Sequence, residues 1–263
     1  MRFKKLGVLV GTAVFAFSLI AAGCSTQGTS TPSQKVLKVG TDATYPPFGF
    51  KDEKSGKLVG FDIDIIEAIA KEEKLKVEVK NMNFDGLLLA LKSDSLDVVI
   101  SDMTITKERA KQVDFSQAYY VAGAGLVVQA KNTDIHSFKE LEGKRIGVSI
   151  GSTGAEVASK VKGAKVREFN TIVDAFLELS NGGVDVVIND TPVNQHYVNT
   201  KGKGIAKAVG EDYDPQPLGI AVKKGNTELL KKIDSGLKKI KDNGEYEKIY
   251  KKWFNEVPPK EGK

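Results

Sequence analysis

One short pattern occurs twice in this chain, and the repeat limits the folds that the chain can adopt. Residues 96–102 (LDVVISD) match residues 184–190 (VDVVIND), so that position 185 repeats position 97 after 88 residues. Each copy follows a stretch with helical spacing of apolar residues, and it predicts a helix, a buried strand and a loop that begins with an acid. Because ligands bind at the carboxyl ends of strands in open α/β sheets, the repeat predicts two similar lobes that aim Asp102 and Asp190 at the space between them. Chance similarity of two apolar strands is the alternative, but it does not account for the matching helices and loop acids.

Strand and helix signals alternate along the rest of the chain. This alternation predicts an α/β fold in which each lobe is a mostly parallel sheet flanked by helices. Two glycine-containing segments, residues 119–128 and 217–222, are predicted to cross between the lobes as a two-segment hinge. The predicted boundaries are residues 36–123 for the first part of lobe 1, 124–217 for lobe 2 and 218–263 for the return to lobe 1.

Individual elements are predicted from apolar spacing and from helix-capping residues. Asp62 is a predicted N-cap, and Thr153 with Glu156 has the spacing of a capping box. Apolar residues spaced by three and four positions after residue 229 predict a helix docked on a lobe, with a membrane-surface helix as the alternative. The predicted helices span residues 61–73, 84–92, 107–112, 137–141, 153–160, 171–180 and 191–197, and the predicted strands span residues 36–39, 77–79, 98–100, 125–129, 145–148, 165–169 and 184–188.

The N-terminal segment has the pattern of a targeting sequence. Residues 1–23 contain a basic start and an uncharged apolar run, and they predict a signal peptide. Small residues precede Cys24, the single cysteine of the chain, and this resembles the lipidation signal of bacterial lipoproteins. Residues 24–35 are rich in Ser and Thr and predict a flexible tether. We therefore expect lipid attachment through Cys24 to the outer face of the bacterial cell membrane, with an ordinary secretory signal as the alternative.

Composition and motifs exclude several classes of function. The formal charge is +5, of which three basic groups lie in residues 1–23, and that leaves +2 on the remainder. Basic and acidic residues are interspersed, so nucleic-acid binding is not expected. The chain has no HExxH, CxxC, EF-hand or P-loop pattern, and His136 and His196 are isolated. We expect no metal, no cofactor and no catalytic residue.

The remaining polar residues suit a free amino acid. Arg109 lies in the first turn of a predicted helix, where a bound carboxylate would offset the unfavourable helix dipole and match the guanidinium fork. Pairing with Glu108 or Asp114 is the alternative. The predicted helix start at Thr153 offers backbone N–H groups to a carboxylate, and Asp190 offers a counter-ion to an ammonium group, although it is also suited to capping the next helix.

Several motifs together identify the chain as similar to the polar amino-acid-binding proteins of ABC importers. The resemblance covers residues 36–254 and implies the two-lobe fold of periplasmic binding proteins, which close around one amino acid and deliver it to a membrane permease. The motifs are residues 40–48 (GTDATYPPF), 58–64 (LVGFDID), 104–109 (TITKER), 114–116 (DFS), 190–192 (DTP) and 250–254 (YKKWF).

The resemblance also implies a role for each site residue. The α-carboxylate would be held by Arg109, Thr104 and Thr153, and the α-ammonium by Asp190 with help from Ser101. The residues around the side chain would be Asp42, Tyr45, Phe84 and Asp102.

Charge at the side-chain end suggests the class of ligand. Glutamine-selective relatives tend to have glycine at the position of Asp102 and lysine at that of Ser149. Asp42 and Asp102 together would repel each other unless a proton or a cation lay between them. We therefore expect a basic ligand: arginine, lysine or histidine. Glutamine or broad specificity remains the alternative if Asp102 faces away or pairs with a lysine. An exported cyclohexadienyl-dehydratase-like enzyme and a sensory module are further alternatives.

Overall fold

The structure is a computed structural model that describes residues 35–259. The predicted signal peptide, Cys24 and the tether up to residue 34 lie outside the described residues. Between residues 35 and 259, none of the helices combines the length and the apolar character that crossing a bilayer requires.

Eight α-helices and thirteen β-strands make up the described part of the chain. The helices are α1 (Phe61–Glu72), α2 (Phe84–Lys92), α3 (Lys107–Gln112), α4 (Thr153–Ser159), α5 (Ile172–Ser180), α6 (Thr191–Asn199), α7 (Thr227–Asp242) and α8 (Glu245–Phe254). The strands are β1 (Val36–Thr41), β2 (Thr44–Tyr45), β3 (Gly49–Lys51), β4 (Leu58–Val59), β5 (Lys76–Asn81), β6 (Val98–Val99), β7 (Val113–Phe115), β8 (Tyr120–Gln129), β9 (Arg145–Ser149), β10 (Lys165–Phe169), β11 (Val186–Asp190), β12 (Ala206–Leu218) and β13 (Ala221–Lys223).

Two five-stranded sheets have the same arrangement. The first has the order β5-β1-β6-β13-β7, and the second has the order β10-β9-β11-β8-β12. In each sheet the first three strands are parallel, and the fourth, β13 or β8, runs antiparallel to both of its neighbours. The predicted α/β fold with two mostly parallel sheets is therefore confirmed.

The sequence repeat corresponds to one structural unit used twice. Strands β6 and β11 lie third in their sheets, next to β1 and β9. The first acid of each repeat accepts a backbone hydrogen bond from the neighbouring part of its sheet. Asp97 accepts the N–H of Lys38 at 2.9 Å, and Asp185 accepts the N–H of Arg145 at 2.9 Å. This leaves the last acid of each repeat, at the other end of the strand, free of a structural task in the sheet.

The two crossings between the sheets lie side by side. Strands β8 and β12 pair antiparallel, and Tyr120 lies opposite Leu218 where they leave the second sheet. Strand β8 spans the predicted boundary at residue 123, and β13 follows directly after the return crossing. The two-segment hinge is thus a pair of hydrogen-bonded strands rather than two separate linkers.

The C-terminal helices are docked on the first lobe. Helix α7 packs on α1 and buries Leu229, Ile233, Leu237 and Ile240. A side chain at Gly236 would come within 2.8 Å of the Ile69 side chain, so the two helices approach closely. This agrees with the predicted docked helix and not with a membrane-surface helix.

Several local predictions were wrong. The N-cap of α1 is Gly60 and not Asp62. Glycine is required there because φ is 142° and a Cβ would lie 2.0 Å from the Phe48 carbonyl oxygen. The N-cap of α4 is Ser152, whose Oγ accepts the Ala155 N–H at 3.1 Å. The predicted helix at residues 137–141 is a three-residue 3-10 helix. The edge strands β7 and β12 and the small sheet β2-β3-β4 were not predicted, since short or polar strands carry little alternation.

We expect Gly154→Ala to lower the free energy of unfolding by about 1–3 kcal/mol, because overpacking forces the backbone to shift. A Cβ at this position in α4 would lie 2.7 Å from the carbonyl oxygen of Ile188 in β11. The matched control is Gly86→Ala in α2, where the nearest atom is the Met82 sulfur at 3.5 Å, and alanine there should stabilise by up to about 1 kcal/mol. Urea unfolding measures both, and equal stability of the two variants would contradict the close packing.

Candidate functional site

Five of the predicted site residues lie at the carboxyl ends of strands from the two five-stranded sheets. Asp42 follows β1, and Ser101 and Asp102 follow β6 in the first sheet. Ser149 ends β9 and Asp190 ends β11 in the second. The two repeat strands therefore bring their final acids, Asp102 and Asp190, close to each other in the crevice between the sheets.

Asp42 is occupied by hydrogen bonds within its own lobe. Its Oδ1 accepts the N–H and the hydroxyl of Thr44 at 3.0 and 2.8 Å, and its Oδ2 accepts the N–H of Phe84 at 3.1 Å. Burial raises the pKa of Asp42, while the bonds from Thr44 and Phe84 lower it. Ser101 Oγ in turn accepts the Asp42 N–H at 2.9 Å. Asp42 thus fixes the start of α2 and the position of Phe84.

Two aromatic rings and a guanidinium form one wall. Tyr45 and Phe84 are buried, with ring centroids 6.2 Å apart and planes tilted by 31°. The guanidinium carbon of Arg109 lies 5.2 Å from the centre of the Phe84 ring, within cation–π range. Burial raises the pKa of Tyr45, whose hydroxyl has no hydrogen-bond partner among residues 35–259.

Arg109 joins the two lobes. Its side chain is only 6% exposed, and it donates to the carbonyl oxygens of Thr104 and Gly151, each at 2.9 Å. Burial lowers its pKa, and the charges of Glu156 and Asp190 oppose that shift. A guanidinium stays protonated in proteins, so the crevice holds a fixed positive charge.

The alternative pairing of Arg109 is not present. Glu108 binds Lys111 at 2.6 Å, and Asp114 binds Lys224 at 2.7 Å. Arg109 is therefore not a solvated surface residue.

Asp102 and Asp190 face each other across the crevice. Asp102 is 4% exposed, and neither of its carboxylate oxygens has a hydrogen-bond partner in the described part of the chain. Burial, followed by the charge of Asp190, raises the pKa of Asp102 well above its usual value. Burial also raises the pKa of Asp190 to about 6, although Asp102 and Arg109 act to lower it. Two adjacent carboxyl groups can hydrogen-bond only when one is protonated, so a proton or a cation is needed between them.

Two earlier alternatives for these acids can be decided from the geometry. Asp190 occupies the N-cap position of α6, but its side chain makes no capping hydrogen bond. Asp102 has no lysine partner among the described residues, and its φ of 49° holds it in the left-handed region. Both side chains are therefore available to a ligand.

The remaining predicted residues line the same crevice less directly. Thr104 and Ser149 are buried, and Ser149 Oγ has no partner between residues 35 and 259. Thr153 begins α4, two residues after Gly151, and is half-buried.

Sequence reasoning missed three participants: Asp62, Tyr119 and the carbonyl of Gly151. Asp62 is fully buried and accepts the Asp102 N–H at 2.8 Å. Its signal was visible, because Asp62 shares the helical spacing of Ile66 and Ile69 and therefore falls on the apolar face of α1. A backbone acceptor such as Gly151 leaves no side-chain signal.

The chain matches a known family over nearly all of the described residues. Residues 37–256 match the family described as bacterial extracellular solute-binding proteins, family 3. The arginine-binding extracellular protein ArtP of Bacillus subtilis (strain 168) is 36% identical over 255 residues, which cover 95% of this chain and 98% of that protein.

Solved structures agree with the fold. Two structures of an ancestral arginine-binding protein, one bound to arginine and one bound to glutamine, are each 52% identical with a TM-score of 0.79. They cover 83% and 84% of this chain and 98% of theirs. The ancestral amino acid-binding protein AncCDT-1, a precursor of cyclohexadienyl dehydratase, is 41% identical with a TM-score of 0.77, and covers 83% of this chain and 95% of its own.

We expect Asp102→Asn to stabilise the ligand-free protein more at pH 8 than at pH 5. Folding raises the pKa of Asp102, so at low pH the group is protonated in both the folded and the unfolded chain and costs no stability. As the pH rises above the pKa of the unfolded chain, the group ionises more readily in the unfolded chain, and the folded state is destabilised. The gain at pH 8 should be at least about 1 kcal/mol, since one pKa unit corresponds to 1.36 kcal/mol.

Thermal unfolding at both pH values measures this difference. Asp94→Asn is the matched control, because Asp94 also has a positive φ (61°) in the first lobe but is exposed and paired with Lys223. If Asp102→Asn changed the stability equally at both pH values, folding would not raise the pKa of Asp102.

Proposed function

Because the chain belongs to family 3 of the bacterial extracellular solute-binding proteins, we propose that it captures a free L-amino acid in the crevice and delivers it to the permease of an ABC importer. The observation that carries this proposal is the juxtaposition of a buried guanidinium, Arg109, with two neighbouring acids, Asp102 and Asp190, of which Asp102 has no hydrogen-bond partner for its oxygens among residues 35–259. The carboxylate and the ammonium group of one zwitterion match the guanidinium and one of these acids, and the second acid is left for a charge on the side chain of the ligand.

The carboxylate end of the ligand would be bound by Arg109. Its two hydrogen bonds to carbonyl oxygens use two of the five N–H donors of a guanidinium, so others remain for a bidentate contact with a carboxylate. Polar contacts would be added by Thr104, whose carbonyl oxygen already accepts from Arg109, and by Thr153 at the start of α4, as the family pattern implies.

The opposite charge would be bound by the acids. Asp190 would pair with the α-ammonium, with Ser101 nearby. Asp102 would then lie at the side-chain end, between Tyr45 and Phe84 on one side and Ser149 on the other. Because the oxygens of Asp42 already bind Thr44 and Phe84, the unpaired charge in the pocket is that of Asp102.

A cationic side chain satisfies this pocket best, and we propose arginine, lysine or histidine as ligands. Asp102 has two buried oxygens without partners, and a guanidinium or ammonium group would bind both and remove the repulsion with Asp190. The flat rings of Tyr45 and Phe84 suit stacking with a planar cation.

Glutamine is a second candidate ligand. An ancestral arginine-binding protein 52% identical to this chain has been solved with glutamine as well as with arginine. A protonated Asp102 would donate to the carbonyl oxygen of a side-chain amide, so a neutral ligand would bind the protonated form.

Lobe closure would couple capture to delivery. Arg109 belongs to the first lobe and Gly151 to the second, so their 2.9 Å bond forms only when the lobes meet. A ligand bound to Arg109 and Asp190 would add to that contact and favour the closed state. The proposed role requires binding and release, and it involves no catalytic step.

Membrane attachment belongs to the same proposal. We propose that lipidation of Cys24, which follows Ala22 and Gly23, retains the protein near its permease at the outer face of the membrane. Several acyl chains hold a protein stably, whereas one holds it weakly.

We expect Arg109→Ala to weaken amino acid binding by at least about 100-fold, because a buried charge-assisted contact with a carboxylate is lost. Isothermal titration of residues 25–263, freed of bound ligand by unfolding and refolding, against the twenty amino acids measures this. Lys111→Ala, an exposed change on the same helix, is the control and should leave affinity unchanged. Unaltered affinity of Arg109→Ala would overturn the site, and turnover of prephenate or arogenate would favour an enzyme.

Asp102→Gly should reverse the preference between arginine and glutamine. Removing the acid takes away the partner of a cationic side chain, and glycine adopts the φ of 49° without strain. We expect the affinity for arginine to fall by more than tenfold while that for glutamine changes little. The same preference before and after the substitution would refute the assignment of Asp102 to the side-chain end.

A further inference from the structure

A third buried acid lies directly behind Asp102. Asp62 in the first turn of α1 is fully buried, and its Oδ2 accepts the Asp102 N–H at 2.8 Å. Its other oxygen, Oδ1, has no hydrogen-bond partner among residues 35–259. The hydroxyl of Tyr119 faces the same carboxyl group and acts to lower its pKa, although the two groups do not reach hydrogen-bond geometry.

The three carboxyl groups form a series from the core of the first lobe to the second lobe, which we call the acid row: Asp62, Asp102 and Asp190. One cation, Arg109, faces the row from α3, and Glu156 faces Arg109 from α4. Three tyrosines are further ionisable groups beside the row: Tyr45, Tyr119 and Tyr120. Three carboxylates in a buried space cannot all be ionised against one guanidinium, so at least one of them holds a proton until a cation binds.

The bond from Asp62 also fixes the backbone at the ligand-binding acid. Asp102 has a φ of 49°, a conformation that non-glycine residues seldom adopt and that requires support from the surrounding structure. The hydrogen bond between its N–H and Asp62 Oδ2 supplies that support from a neighbouring helix. The same carboxyl group therefore affects both the position and the charge of Asp102.

We propose that Asp62 is a positioning residue that holds Asp102 in place and makes the capture of a cationic amino acid depend on the release of a proton from the acid row. This inference rests on the proposed function and adds to it a regulation by pH. The pH dependence would also distinguish cationic from neutral amino acids, because only a cationic side chain replaces the proton.

The direction of the pH effect follows from the burial of the row. Burial raises the pKa of Asp62 to about 7 and that of Asp102 well above its usual value. Below these values Asp62 and Asp102 are protonated, and a cation must displace a proton in order to bind. The affinity for arginine should therefore fall by up to about tenfold for each pH unit and each proton as pH decreases below 7. The affinity for glutamine should change little.

Calorimetry in buffers of different ionisation enthalpy counts the protons released. For the wild-type protein at pH 6.5 we expect release of close to one proton with arginine and none with glutamine. Asp62→Asn keeps an acceptor for the Asp102 N–H but removes one acid, so proton release should fall and the midpoint of the pH profile should move down by a unit or more. Glu67→Gln, an exposed change on the same helix, should change neither.

Each outcome decides the inference. Arginine binding without proton release in the wild type overturns it and leaves the proposed function intact, whereas failure to bind any amino acid overturns both. An unchanged proton count in folded Asp62→Asn reduces Asp62 to a structural residue. If that variant does not fold, Tyr119→Phe takes its place, since loss of the hydroxyl should move the midpoint to higher pH. An unmoved midpoint there also overturns the inference.

Discussion

The site depends on a group of buried acids that outnumber the cations placed beside them in the described part of the chain. Asp102 and Asp190 meet in a crevice from which water is largely excluded, and Arg109 is the fixed cation beside them. Desolvated carboxylates are costly unless they are paired, so such an arrangement is expected where a ligand completes the pairing. The stability of the ligand-free protein and the proposed affinity for a cationic ligand would then have the same electrostatic origin, and a gain in one would come at the expense of the other.

The scaffold explains how two acids so far apart in sequence reach one place. Each repeat begins with an acid that secures its strand, Asp97 or Asp185, and ends with an acid at the sheet edge that the crevice uses. The parallel strands of each sheet turn all of their carboxyl ends the same way, so both crevice walls consist of strand-terminal loops. One structural unit, used twice, thus provides a binding surface with two differing halves.

Much of the fold could be predicted from the sequence, and the site only in part. The repeat, the strand–helix alternation and the apolar spacing of α7 predicted the two sheets and the docked tail, because these features depend on burial patterns. The contacts of Asp42 could not be predicted, because a carboxylate that caps α2 and one that faces a ligand have the same sequence appearance. The burial of Asp62 was visible as an acid on an apolar helix face, but its link to Asp102 requires tertiary structure. Backbone acceptors such as Gly151 carry no side-chain signal at all.

The return of the chain to the first sheet after the second crossing has a consequence for the order of folding. The first sheet pairs β6 (Val98–Val99) with β13 (Ala221–Lys223), and the last two helices of the chain pack on α1 of the same lobe. A chain that emerges from its N-terminus therefore exposes an unpaired strand edge and a bare apolar surface until almost all of it has been synthesised. The second sheet takes all of its strands from residues 120–218 and is free of that delay. The middle of the polypeptide should accordingly become ordered before its beginning, and a truncated chain should lose the first lobe before the second.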